Sequence, residues 1–324
     1  MKKYLAFILA MLLLLAFSAS AFASEPIGMI EEETIEYPFT EPYEYPIVPG
    51  TDEWAELDSL SEMIDACHVP QMALDNMTTE ASLETVFNYP LLGNIFAYDS
   101  AQKGFEKVRC YCNGLQELWF RTDLVQILEN LLSTDSFEED YNIAQRTLVT
   151  VLLDNLQGSI AASPMFLNYT LVDRNTPRGS WVIFYGNMTW QDHGLTEEEA
   201  EEQCEMLHDP YVDRGAIVVS GGVDPSYNCH SYTFYLASTS NNLWLDGDEA
   251  EIYITDGSYN LVTDGAEAGD KAWYGVDHSG IVRRVQNGRV YVRSKWGFGG
   301  IYEHDSAICP YEVEDGIGYY RLDD

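Results

Sequence analysis

The sequence predicts an α+β fold in which an N-terminal helical bundle precedes a domain with a small antiparallel sheet. Apolar residues recur at helical spacing from about residue 52 to residue 157. Later strand-like runs surround Asn287-Gly288, a dipeptide typical of tight hairpin turns. We divide the chain into a signal peptide (1–23), an acidic Pro-rich linker (24–51), a helical domain (52–160), a connecting α/β segment (161–220) and a Cys/His domain (221–324).

The N-terminus has the three parts of a secretory signal. A basic start at Met1-Lys2-Lys3 is followed by an uninterrupted apolar run from Leu5 to Ala16. Ala21 and Ala23 supply the small residues that a signal peptidase reads, so we expect cleavage after Ala23. The sequence therefore predicts a secreted protein, extracellular or associated with the cell wall, without a stable membrane anchor.

The next segment, residues 24–51, combines five prolines with Glu31-Glu32-Glu33 and shows neither helical nor strand periodicity. This composition predicts an extended, mobile linker.

Residues 52–160 have the apolar spacing of several amphipathic helices. Leu57, Leu60 and Ile64 share one face. Thr78 and Thr122 are candidate N-caps, and Ser136-Phe137-Glu138-Glu139 has the pattern of a capping box before a helix that ends near Gly158. We interpret the apolar stripes as core, and the region as a bundle that packs on the rest of the chain or recruits a protein partner.

The connecting segment mixes both structure types. Phe166 to Val172 and Trp181 to Tyr185 are predicted strands. Thr196-Glu197-Glu198-Glu199 predicts a capped acidic helix that ends before Asp209-Pro210, and residues 215–219 predict another strand.

Charge and motifs exclude several functions. The chain has 53 acidic and 17 basic residues, for a net charge of −36, which disfavours binding to nucleic acid or anionic membranes. Nucleotide-binding and His-Glu-x-x-His motifs are lacking, and residues 246–249 do not complete a calcium loop, so we expect neither a cofactor nor a metal. The six cysteines are too sparse for a disulfide scaffold, which leaves Cys229 as a candidate free thiol.

Cys229 and His278 form the candidate catalytic pair. Cys229 follows a loop and begins a predicted short helix, where the helix dipole and free N–H groups favour a thiolate. His278 begins a predicted strand that leads into the Asn287-Gly288 hairpin, and Gly269-Asp270 forms a turn before the preceding strand. A cysteine with a later histidine can supply a nucleophile and its base. The alternative is a small buried cysteine and a histidine that merely caps a strand.

These residues resemble a known family. Asn228-Cys229-His230-Ser231, Gly269-Asp270 and His278-Ser279-Gly280-Ile281 are similar to the motifs of secreted papain-like domains of the NlpC/P60 and CHAP type. The resemblance covers roughly the last hundred residues and implies a papain-like domain that hydrolyses amide bonds or peptidoglycan peptides. It also implies that Tyr227 helps to hold substrate, and we expect Trp296 to line the same cleft.

The whole chain also resembles a set of secreted proteins from Gram-positive bacteria. The shared features are the helical N-terminal region, Ser294 to Gly297, and Cys309-Pro310-Tyr311. This wider resemblance implies no particular activity.

The third catalytic residue of the family has no direct counterpart here. The strand after His278 carries Ser294 and Lys295, and neither is a good acceptor for an imidazole N–H. His304 and Glu303 come about ten residues later, after a glycine-rich turn, and we favour His304 as the orienting residue.

The sequence thus predicts a secreted cysteine hydrolase, with an acyltransferase as a close relative. Its substrate would be a peptide or a peptidoglycan-like molecule. Two alternatives remain: a non-catalytic papain-like module for binding or adhesion, and a secreted effector against neighbouring cells.

Overall fold

The computed structural model describes residues 38–134, 137–158, 169–311, 313 and 316–323. The described residues form one compact unit that combines helices with antiparallel sheets, which confirms the predicted α+β class. The predicted signal peptide and the first part of the linker lie outside the described residues.

Helices dominate the first half of the described chain. They are α1 Asp52–Ala55, α2 Leu60–Ala66, α3 Gln71–Asn76, α4 Thr79–Phe87, α5 Ala101–Tyr111, α6 Asn113–Leu118, α7 Leu124–Leu132, α8 Phe137–Asp140 and α9 Ile143–Leu156, with a 3-10 helix at Leu92–Ala97. The second half adds α10 Glu197–Val212, α11 Cys229–Phe234, α12 Gly247–Thr255 and a 3-10 helix at Trp190–His193.

The strands form two sheets. They are β1 Thr170–Asn175, β2 Trp181–Gly186, β3 Ile217–Ser220, β4 Leu243–Trp244, β5 Tyr259–Leu261, β6 Lys271–Trp273, β7 Ser279–Gln286, β8 Arg289–Lys295, β9 Ile301–Asp305 and β10 Gly318–Leu322. The smaller sheet has the order β1-β2-β4, and the larger has the order β3-β9-β8-β7-β6-β10-β5, with antiparallel neighbours throughout.

The helix starts follow local capping chemistry. Thr78 accepts from the backbone N–H of Ala81, as predicted. The predicted cap at Thr122 is wrong, because α7 begins one residue later, after Asp123, without a side-chain cap. Ser136 lies outside the described residues, and the capping box of α9 is formed instead by Asn142 and Gln145.

The capping box at Thr196 and Glu199 is confirmed, but the predicted end of its helix is wrong. Helix α10 continues through Pro210 to Val212. Tertiary contacts hold this last turn: Trp54 Nε1 donates to the Pro210 carbonyl at 2.8 Å, and the Tyr211 hydroxyl donates to Asn94 Oδ1 at 3.0 Å. Burial of Tyr211 therefore outweighs the local tendency of proline to end a helix.

The described part of the predicted linker, residues 38–51, contains no regular helix or strand. It packs on the helices all the same: the Tyr43 N–H donates to Thr85 Oγ1 at 2.9 Å, and Tyr45 is buried in the core.

The hairpin between β7 and β8 turns at the predicted dipeptide. Asn287 and Gly288 have φ values of 53° and 80°, which suit a turn that needs positive φ at both central residues. The register pairs Gln286 with Arg289 and places Val282 opposite Val292, with both valines facing the core.

One large apolar core joins the helices to the larger sheet. It contains Phe105, Leu148 and Leu152 from helices together with Val282, Val292 and Trp296 from the sheet region. A second cluster lies between α12 and the smaller sheet; it includes Val182, Phe184, Leu243, Leu245, Ala250, Tyr253 and Trp273. The helical region thus packs directly against the larger sheet, whose strand β7 begins directly after His278.

Among the described residues, none of the helices has the length and apolar character that crossing a membrane requires.

Candidate functional site

Cys229 is the first residue of α11, as the sequence predicts. Asn228 caps this helix, because its Oδ1 accepts from the Ser231 N–H at 3.1 Å. The amide of Asn228 also donates to the Leu245 carbonyl at 2.7 Å, which ties the helix start to the segment after β4. The thiol position is therefore fixed from two directions.

His278 directly precedes β7. Its carbonyl accepts from the Tyr274 N–H at 2.9 Å, and the next residue, Ser279, pairs with Trp273 of β6. The side chain has no exposed surface. Within the described part of the chain, neither Nδ1 nor Nε2 has a hydrogen-bond partner. A buried imidazole with both nitrogens unpartnered is rare and calls for an explanation.

The structure brings the helix start and the strand start together. The backbone groups of Ser279 and His230 lie near enough to the sulfur of Cys229 to lower the pKa of its thiol. The His230 ring bridges the same junction, with Nδ1 2.9 Å from Ser279 Oγ and Nε2 3.1 Å from the Val276 carbonyl. Cys229 and His278 thus lie on adjoining segments, and His230 has a structural role.

The sequence predicted a thiolate at Cys229, but this conformation favours the neutral thiol. Burial raises the pKa of the thiol to about 12, and outweighs the N–H groups of Ser279 and His230 and the charge of Lys295, which lower it. Burial also lowers the pKa of His278 well below its usual value. At neutral pH the closed site therefore holds a neutral thiol and a neutral imidazole rather than an ion pair.

The two predicted substrate-binding aromatics are both buried. Trp296 has no exposed surface, stacks on Tyr302 with 4.5 Å between ring centroids, and donates from Nε1 to Ser294 Oγ at 3.1 Å. Tyr227 is 3% exposed. Trp296 is therefore a core residue in this conformation, because a side chain without exposed surface contacts no substrate.

Lys295 is a buried cation close to the site. Its Nζ donates to the carbonyls of Asp224 at 3.1 Å and Gly297 at 3.0 Å, and lies 5.0 Å from the ring centroid of Tyr227. Burial lowers the pKa of this amine to about 8. Lys295 thus links the loop before Cys229 to the turn after β8. Neither of these two hydrogen bonds involves His278.

His304 is not hydrogen-bonded to His278. Its Nε2 lies 3.0 Å from Ser294 Oγ, and its Nδ1 lies 2.7 Å from the Asp305 carbonyl. Glu303 instead pairs with Arg293 at 2.8 Å and with Arg284. The structure therefore gives the predicted third residue, and its two substitutes Ser294 and Glu303, other partners than His278.

Sequence reasoning did not assign a role to Tyr311. Its ring lies parallel to that of His278, with 3.7 Å between centroids and 6° between planes. The Cys309-Pro310-Tyr311 motif was the only signal in the sequence, since 33 residues separate the two rings.

The sequence analysis also missed an ion-pair cluster beside His278. Lys103 and Lys107, one turn apart on α5, lie 2.8 and 2.6 Å from the carboxylate of Asp277. Both lysines lower the pKa of this carboxyl against the effect of burial. Burial raises the pKa of Asp99, just before α5, to about 6, although the nearby Lys103 and the amide of Asn228 lower it. Helix α5 and its N-terminal turn therefore lie next to Asp277 and Asn228, which directly precede His278 and Cys229 in the chain.

A shallow pocket with an empty volume of about 170 Å³ lies between the 3-10 helix Leu92–Ala97, helix α10 and the Phe298-Gly299 turn. Its lining includes Cys204 and Phe298, but neither Cys229 nor His278. Among the described residues, no three His, Cys, Asp or Glu side chains are grouped as a metal site. All six cysteines carry free thiols.

Comparisons with protein-family models, with curated proteins and with solved structures found no match to this chain.

Proposed function

We propose that the protein is a secreted cysteine hydrolase whose papain-like domain cleaves amide or peptide bonds, with Cys229 as nucleophile and His278 as base. Peptide stems of peptidoglycan are the proposed substrate class, and the space outside the cell is the proposed location. The strong acidity, with a net charge of −36, supports a partner other than nucleic acid.

The buried, unpartnered imidazole of His278 is the observation that carries the proposal. Leaving two buried ring nitrogens without partners costs free energy, which a purely structural histidine would recover by hydrogen bonding, as His230 and His304 do. Free nitrogens suit proton transfer, and the segment of His278 adjoins the helix start that carries Cys229.

The chemistry requires these residues to act in sequence. His278 takes the thiol proton as the sulfur of Cys229 attacks the carbonyl carbon, which forms a tetrahedral intermediate. The protonated His278 then gives that proton to the leaving amine as the C–N bond breaks. Water hydrolyses the resulting thioester and restores the thiol. The Cys229 backbone N–H, at the positive end of α11, is the proposed oxyanion donor.

Substrate access requires an opening movement. Cys229 is 6% exposed and His278 is fully buried. The N-terminal turn of α5 is the proposed cover of the pair, since its Lys103 lies 2.8 Å from the carboxylate of Asp277, which directly precedes His278. We propose that this cover moves before substrate binds, and that solvation of the opened site brings the pKa of Cys229 down and that of His278 up.

The test is a muropeptide digest. The mature protein is incubated with a mixture of soluble muropeptides, and the products are read by mass spectrometry. We expect cleavage of an amide bond by the wild type and none by Cys229→Ala. The matched control is Cys67→Ala, because Cys67 is also buried but lies at the end of α2. Equal cleavage by the Cys229→Ala variant would refute the proposed nucleophile.

Thiol labelling gives a second test that needs no substrate. Iodoacetamide at neutral pH, followed by peptide mapping, measures the six cysteines separately. An active site should make Cys229 react faster than Cys67 and Cys309, which are similarly buried, whereas equal rates among these three would argue against activation.

One observation favours the alternative of a non-catalytic binding module. The pair is closed, and both groups are neutral in this conformation. A wild-type protein that binds muropeptides without cleaving them, and whose binding is unchanged in Cys229→Ala, would identify that module.

A further inference from the structure

We infer that Tyr311 is a positioning residue for His278, and that its stacked ring takes over the orienting role that a polar third residue has in a catalytic triad. This inference rests on the proposed function, since a fixed imidazole matters for catalysis only if His278 acts as a base.

The first argument is the geometry of the stack. The two rings are nearly parallel, at 6°, with centroids 3.7 Å apart. For the imidazole to turn over about its χ2 axis it would have to pass edge-on through the space that the Tyr311 ring occupies. The stack therefore holds the plane of His278 without any hydrogen bond.

The second argument is what the stack leaves open. Ring nitrogens lie at the edge of an imidazole, and their hydrogen bonds run in the ring plane. A ring stacked on the face blocks neither Nδ1 nor Nε2. This explains how His278 can be held firmly while neither nitrogen has a partner among the described residues.

The third argument is that Tyr311 is itself held in place by two hydrogen bonds of its hydroxyl. The hydroxyl donates to the Ala97 carbonyl at 2.7 Å and accepts from the Gly297 N–H at 3.3 Å. The Tyr98 ring packs edge-on against it, with centroids 5.5 Å apart. Two separate segments thus fix the Tyr311 ring, which is 3% exposed, and a fixed ring can orient its neighbour.

The candidates that the sequence offered for this role are occupied elsewhere. His304 and Ser294 hydrogen-bond with each other, His304 also bonds with the Asp305 carbonyl, and Glu303 pairs with two arginines. Tyr274 contacts His278 as well, but its ring is tilted by 58° at 5.2 Å and does not cover the imidazole face.

The experiment compares Tyr311→Phe, which keeps the ring, with Tyr311→Leu, which removes it. The first readout is the proton NMR spectrum of His278, assigned by its loss in His278→Ala. Ring current from Tyr311 should shift the His278 ring protons upfield in the wild type and in Tyr311→Phe. The shift should disappear in Tyr311→Leu.

The second readout is turnover of the muropeptide that the wild type cleaves. We expect Tyr311→Leu to lower kcat about 10- to 100-fold, the cost of a misplaced catalytic group, with KM changed less than about twofold. Tyr311→Phe should retain most of kcat. The matched control is Tyr89→Leu, because Tyr89 is similarly buried but packs against Tyr45.

Failure of this inference and failure of the proposed hydrolase give different results. Unchanged His278 shifts in Tyr311→Leu, or equal loss of kcat in the Phe and Leu variants, would overturn the inference. Wild-type protein that shows the upfield shift but cleaves nothing would refute the hydrolase and leave the stack as a structural contact only. If Tyr311→Leu does not fold, Tyr311→Met gives the same two readouts with a side chain closer in volume.

Discussion

His278 and His304 are both buried, but the hydrogen bonding of their ring nitrogens differs. His304, on β9, has a partner for each nitrogen, at 3.0 Å from Ser294 Oγ and 2.7 Å from the Asp305 carbonyl. His278, before β7, has a stacked ring on one face and no hydrogen-bond partner at its edge among the described residues. Saturated hydrogen bonding marks a structural histidine, whereas a histidine fixed only through its face remains available for proton transfer.

Replacing each histidine by alanine should separate the two roles most strongly. His278→Ala should lower muropeptide turnover by about 100- to 10,000-fold, because the proposed general base is removed. His304→Ala should instead destabilise the fold by roughly 2 to 4 kcal/mol, because it leaves a cavity and unpartnered groups in the core. Turnover and denaturant unfolding of both variants give the comparison. A large loss of turnover in folded His304→Ala would restore His304 as a catalytic residue.

The pH dependence of the free energy of unfolding tests whether the buried histidines His230 and His304 are neutral. Burial lowers the pKa of His230 and of His304 to about 4. The unfolded chain binds these protons near pH 6.5, so the stability they support is complete above that pH and declines as pH falls. Between pH 7 and pH 5 we expect a loss of about 2 kcal/mol per histidine.

Asp99 opposes part of this loss, since its pKa is raised to about 6 and its protonation favours the folded state. Guanidinium unfolding at pH 7, 6 and 5 measures the net effect, and His304→Gln should flatten the slope by the share of one histidine. Stability that stays constant or rises towards pH 5 would contradict the buried neutral state.

The ion pairs of α5 with Asp277 should have the smallest effect. Replacing Lys103 and Lys107 together by glutamine should speed iodoacetamide labelling of Cys229 about two- to fivefold, since partly exposed ion pairs contribute about 0.2 to 1 kcal/mol. Arg109→Gln on the same helix is the control, because Arg109 packs over Trp119 and makes no contact with Asp277. An unchanged labelling rate in the double variant would show that α5 does not limit opening of the site.

The sequence by itself determined the features that depend on neighbouring residues. Asn228 caps α11 and so places Cys229 at a helix start, and Asn287-Gly288 supplies the positive φ values of the β7–β8 turn. The α+β class followed from the same local patterns. These predictions succeeded because capping, turn geometry and periodicity act over a few residues.

Only the tertiary structure decided the environment of the pair. Burial raises the pKa of Cys229 although the helix start favours a thiolate. The packing also places Trp296 in the core, although the sequence predicted that it lines the substrate cleft. The partners of His304 and the stack of Tyr311 on His278 join residues on separate segments. Such contacts, and the desolvation they cause, depend on how distant segments pack, which local sequence patterns do not encode.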